Sequence, residues 1–156
     1  MARGARPTPT GFDHALLDRR VQELGLRSVD AVKAGLHWGY VTSLREKSLD
    51  CPGAKMLPLV AQFVELPPRE LYAITDAQVT VCHLRHFRGW SMKEAAVARN
   101  WTYSAYKGFE WGEPLPKEMS TVASWSKTAK AFQVTEEQMR RAWEASHRMH
   151  LTPSGP

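Results

Sequence analysis

Apolar residues recur at helical spacing along most of the chain, interrupted at short intervals by glycine, proline and asparagine. From Asp13 onward, Leu16, Leu17, Val21 and Leu24 fall three or four residues apart, and Gly25 ends the run. That spacing predicts a first helix. Ser28 is placed to cap a short second helix carrying Val29, Val32 and Leu36, with Gly35 as its turn residue. Val41 and Leu44 mark a third helix. Ala54 to Val64 reads as a fourth, with Leu57, Val60, Ala61 and Val64 inward. A proline past the first turn would remove a ladder bond, so Pro58 predicts that this helix begins at Leu57. Pro67-Pro68-Arg69-Glu70-Leu71 opens a short closing helix.

The second half repeats the first. Val81, Leu84, Phe87 and Trp90 form an apolar stripe after Asp76, a natural N-cap. Ser91 and Glu94 have capping-box spacing, and Ala95, Ala96 and Arg99 continue the helix. Asn100 tolerates the left-handed backbone that a tight turn requires, and Trp101 plugs that turn. Thr102 caps a further helix with Tyr106 and Phe109 on one side. Gly112 stops it, and Pro114 bars a restart. Met119 to Phe132 predicts another helix, with Val122, Trp125, Ala129 and Phe132 inward. Thr135 caps the last, from Glu136 to about Met149, whose Met139, Ala142, Trp143 and His147 share a face. Ala31, Gly35, Val41 and Leu44 recur 65 residues later as Ala96, Asn100, Tyr106 and Phe109. Ala61 and Ala129 are 68 apart. The chain therefore holds an internal repeat. Its predicted divisions are a flexible basic arm (1–10), two helical domains (11–74 and 75–150) and a tail (151–156).

In each copy a small residue stands four before the turn residue, and bulky residues fall six and nine after it. The second copy closes with Glu110-Trp111-Gly112. This register resembles the lambda-repressor-like, or XRE, family of helix-turn-helix regulators. Asn100 and Trp101 replace the usual glycine and aliphatic residue. The first copy departs further: Asp30 stands where an apolar residue is usual, its second helix is one residue shorter, and Arg45-Glu46-Lys47 replaces Glu-x-Gly. The resemblance implies an all-α fold of two tandem lambda-repressor-like five-helix helix-turn-helix domains. It also implies a sequence-specific double-stranded DNA-binding transcriptional regulator, such as a phage or bacterial repressor, in the cytoplasm at the nucleoid.

The charge agrees with an anionic partner: 21 Lys and Arg against 16 Asp and Glu give +5, with a pI near 9.4. Residues 1–78 carry a net +1 and residues 79–156 a net +4. Cys51 and Cys82 are far apart and read as reduced thiols. No apolar run approaches 18 residues and no secretory core is visible, so neither a membrane partner nor export is expected.

Recognition helices present their N-terminal and outward residues to base edges. In the first copy these are His37, Trp38, Tyr40, Thr42, Ser43, Arg45 and Lys47, with Arg45 the strongest base reader because a guanidinium can grip guanine N7 and O6 together. In the second they are Thr102, Tyr103, Ser104 and Lys107. Lys93 and Arg99, with Arg85, Arg88 and Lys117, are expected against phosphates. The last helix either folds back on its own domain or offers a homodimer seam. The rival reading is a protein-interaction module on the same scaffold, binding another regulator or RNA polymerase, with Trp38 and Trp111 as exposed anchors. Cys82, His83 and His86 resemble metal ligands at a glance but lack a second cluster. No catalytic constellation is visible, so neither an enzyme nor a cofactor is expected.

Overall fold

The computed structural model describes residues 7–152; the first six residues of the basic arm and residues 153–156 of the tail lie outside the described residues. Among the described residues the fold is all-α, with nine α-helices, three short 3-10 helices and one isolated β-bridge between Phe12 and Tyr72. No helix among them is long and apolar enough to cross a membrane. The chain divides into two compact units. One spans Thr10–Ile74, and the other runs from Thr75 onward and includes residues 7–9.

The first unit holds α1 (His14–Glu23), α2 (Ser28–Lys33), α3 (Trp38–Arg45), α4 (Leu57–Phe63) and a 3-10 turn at Pro68–Leu71. Asp13 caps α1 by accepting from the Leu16 amide at 2.9 Å. Leu17, Val21, Val41, Leu44, Leu57 and Val60 form its buried centre. Polar ties lie over that core: His14 Nδ1 is 2.6 Å from the Leu44 carbonyl, and the Arg20 guanidinium donates twice to the Val64 carbonyl. The ends of the unit meet, with the Asp13 amide donating to Leu71 and the Ala73 amide to Gly11, each at 2.8 Å. Helix α4 starts at Leu57 with Pro58 in its first turn, as the missing amide dictates.

Helix α2 differs from its expected form. Arg27, not Ser28, takes the cap position, and its amide donates to the Asp30 carboxylate at 2.8 Å. Asp30, a departure from the apolar residue usual there in the pattern, thus serves the helix start. With only six residues, α2 turns Ala31 inward and leaves Val29 and Val32 exposed.

The second unit holds a 3-10 turn at Asp76–Gln78, α5 (Val81–Phe87), α6 (Met92–Arg99), α7 (Tyr103–Glu110), a 3-10 turn at Lys117–Met119, α8 (Val122–Ala131) and α9 (Glu136–Leu151). Thr80 caps α5, while Asp76 opens only the preceding 3-10 turn. Asn100 adopts the left-handed conformation (φ 55°, ψ 40°) at the end of α6. Left-handed residues recur between the units: Gly25 and Gly89, Gly35 and Asn100, Lys47 and Gly112, Glu65 and Gln133. Every inter-helix turn in the two halves therefore bends at a corresponding place.

Tyr106, Phe109, Trp125 and Phe132 fill the core of this unit. Trp101 packs edge-on to Phe109, and Trp90 to Phe132. Val122 is an expected core residue that the structure places outside. As the first residue of α8 it precedes the inward row of Trp125, Thr128 and Ala129.

The apolar face of α9, a candidate homodimer seam or a face folded back on its own domain, packs within its own unit. Met139, Ala142, Ala145 and Ser146 are buried. His147 Nδ1 lies 2.6 Å from the Gly112 carbonyl, and Arg148 donates to the Ala77 carbonyl. Gly112 has φ +72°, and a Cβ there would stand 2.3 Å from the Ser146 carbonyl oxygen. Only glycine lets the end of α7 lie against the α9 backbone.

Candidate nucleic-acid interface

Helix α7 is built so that its two sides do different work. Thr102 caps it, accepting from the Ala105 amide at 3.2 Å. Tyr106, Phe109 and Glu110 face the core. Ser104 lies opposite that face, while Tyr103 and Lys107, four residues apart, share a flank between it and the core. Thr102 and Ser104 are exposed, and Tyr103 is 48% exposed. The Tyr103 hydroxyl lies 3.7 Å from Met92 Sδ on α6. Lys107 is half-buried, with Nζ 4.4 Å from the centre of the Trp111 ring. That contact has i, i+4 spacing, the one signal of it in the sequence. Lys93 is exposed on the first turn of α6.

Two arginines expected at phosphates are instead structural. Arg99 turns to α8, where Nε donates to Thr128 Oγ1 at 2.7 Å, and its guanidinium lies 4.9 Å over Trp101. Burial lowers its pKa. Arg85 is buried against Glu110, with both side chains at 3% exposure or less. Its Nε and Nη2 donate to the two carboxylate oxygens, Nη1 donates to the Trp90 carbonyl at 2.9 Å, and the Tyr106 hydroxyl donates to Glu110 at 2.9 Å. Burial would lower the Arg85 pKa, but the hydrogen bond and charge of Glu110 outweigh it and raise it. Burial, reinforced by the Glu110 charge, holds the Tyr106 phenol well above its ordinary value.

In the first unit, Arg45 occupies the position on α3 that Glu110 occupies on α7. It therefore turns toward α1 and not outward as expected. Its Nε donates to Asp18 at 2.7 Å, and its guanidinium carbon lies 5.9 Å from the Trp38 ring centre. The two side chains are 25% and 40% exposed. Both units thus tie the end of the third helix to the first by an ion pair, with the charges exchanged. No linear spacing linked Asp18 to Arg45, so Asp18 was not visible in the sequence.

His37, Ser43 and Tyr40 among the other first-unit candidates are also engaged locally. His37 caps α3, its Nδ1 accepting from the Gly39 amide at 3.1 Å. Ser43 donates to the Gly39 carbonyl at 2.9 Å. The Tyr40 hydroxyl accepts from the Gly53 amide at 3.2 Å. Burial raises its pKa against the lowering effect of that bond, and Cys51 adds to the rise. Thr42 lines a small pocket of about 270 Å³ with Asp18, Arg45 and Glu46. Lys47 is exposed and left-handed (φ 63°).

Trp38 and Trp111 are half-buried beneath Arg45 and Lys107 and do not form bare anchors. Cys82, His83 and His86 are all buried on α5, where His83 Nδ1 lies 2.8 Å from Thr80 Oγ1. Among the described residues no three His, Cys, Asp or Glu side chains gather at a possible metal site. Comparison with protein-family models, curated proteins and solved structures returns no match.

Proposed function

We propose that this chain binds double-stranded DNA in the manner of a helix-turn-helix protein, and that the second unit makes the contact through α7. The observation that carries this reading is the outward face of α7, directly after the left-handed Asn100. It leaves Thr102, Tyr103 and Ser104 exposed and Lys107 half-buried beside a fully buried Tyr106, Phe109 and Glu110. A short capped helix with hydroxyls and a cation outward suits a major groove lined by phosphates. Lys93 on α6 adds a cation, and the net +4 of residues 79–156 favours the same partner. The resemblance to lambda-repressor-like regulators points the same way, toward transcriptional control. The interaction-module reading drew on Trp38 and Trp111 as exposed anchors, and it loses that support because cations cover both rings.

Anisotropy of a labelled genomic duplex provides the test. Binding should weaken tenfold or more between about 50 and 200 mM salt, as phosphate contacts by a few cations require. Lys107→Ala should weaken it at every salt concentration. Absent or salt-insensitive binding would sink the proposal.

A further inference from the structure

Resting on that reading, we infer that the ligand is duplex DNA without a defined target sequence. The protein grips backbone and groove shape and scarcely reads bases.

Bidentate reading of guanine needs arginine or lysine, and bidentate reading of adenine needs asparagine or glutamine. Helix α7, Tyr103–Glu110, contains no arginine, asparagine or glutamine. Helix α3, Trp38–Arg45, contains one arginine and neither amide. That arginine spends its Nε on Asp18 and lies on the side of α3 that faces α1. Each bidentate contact discriminates between bases by roughly five- to 150-fold, and Lys107, half-buried against Trp111, is the one lysine these two helices hold, so together they supply little sequence selectivity.

The remaining outward groups are generic. Lys107 is a point charge that can meet a phosphate as readily as a guanine. The Thr102 hydroxyl already accepts from the Ala105 amide, and Ser104 offers a hydroxyl compatible with any base. Tyr103 supplies a half-exposed ring whose hydroxyl points to Met92. Asn100 carries an amide, but it sits in the turn ahead of α7 with its backbone fixed in the left-handed region. In the first unit the His37 Nδ1 is occupied by the Gly39 amide.

The experiment uses the full chain and randomised 20-base-pair duplexes, with repeated selection of the bound fraction. The selected duplexes should bind no more than about tenfold tighter than scrambled duplexes of the same composition, far below the 10³–10⁷ typical of specific regulators. Lys107→Ala and Lys93→Ala should each lower affinity by the same factor on every duplex. A recurrent motif bound a hundredfold or more above its scramble overturns the inference while leaving DNA binding intact. Failure to bind any duplex overturns the underlying reading as well.

Discussion

Replacing Glu110 by alanine strands the Arg85 guanidinium in the core of the second unit. Arg85 is 3% exposed, and its Nε and Nη2 lose both carboxylate acceptors; among the described residues the Trp90 carbonyl and the weak Cys82 sulfur contact remain. The Tyr106 hydroxyl loses its acceptor at the same time. Removing one member of a buried pair costs about 3–5 kcal/mol, because the survivor stays charged and desolvated. A unit of this size is stable by only about 4–12 kcal/mol, so Glu110→Ala removes a large share or all of it. Five of the six tryptophans (Trp90, Trp101, Trp111, Trp125 and Trp143) lie in this unit, so intrinsic fluorescence during urea titration reports on it selectively. With a slope of about 1–3 kcal/mol per molar, the midpoint should fall by roughly 2 M. The double variant Arg85→Met with Glu110→Leu should recover most of the loss, since an apolar pair carries no desolvated charge. A drop below about 1 kcal/mol for Glu110→Ala would refute the reasoning, since that is the value of a solvated surface pair.

Arg45→Ala, at the matching position of the first unit, should cost at most about 1 kcal/mol in the far-ultraviolet dichroism melt, because its pair with Asp18 is partly solvated. Gly112→Ala should destabilise the second unit by about 3 kcal/mol or more in the same urea assay. The added methyl meets helix backbone at 2.3 Å in a left-handed residue, and an undiminished midpoint would contradict that contact. Tyr106→Phe should cost about 1 kcal/mol at neutral pH. The folded state keeps the Tyr106 phenol protonated above its ordinary value near 10, so the contribution of this group to stability is intact below pH 10 and is lost as pH rises beyond it. The phenylalanine variant should lack that part of the decline, and parallel curves for the two chains would contradict the assignment.

The turns at Gly25, Gly35, Asn100 and Gly112 were legible because their chemistry is local, whereas the left-handed bends at Lys47, Glu65 and Gln133 carry no such signal. Asn100 has the one common side chain other than glycine suited to a left-handed helix end, and Ser91, Thr102 and Thr135 cap the helices they precede. Core positions on the longer helices followed from spacing alone, as Leu17 with Val21 and Tyr106 with Phe109 show. What escaped was the direction of charged side chains. Arg45, Arg85 and Arg99 all sit near the expected interface, yet each turns inward to a partner 25 to 29 residues away in sequence. A long flexible side chain reveals its partner only when the helices are docked. Val32 and Val122 misled for the opposite reason: on so short a helix, or at its first residue, an apolar side chain can fit the stripe and still miss the core.

The backbone stitching between Gly11 to Asp13 and Leu71 to Ala73 brings the start and finish of the first unit side by side. A polypeptide loop so closed is topologically modular. New termini opened at an exposed bend such as Glu65, with a brief glycine bridge joining the old ones, would leave each of its helices uncut.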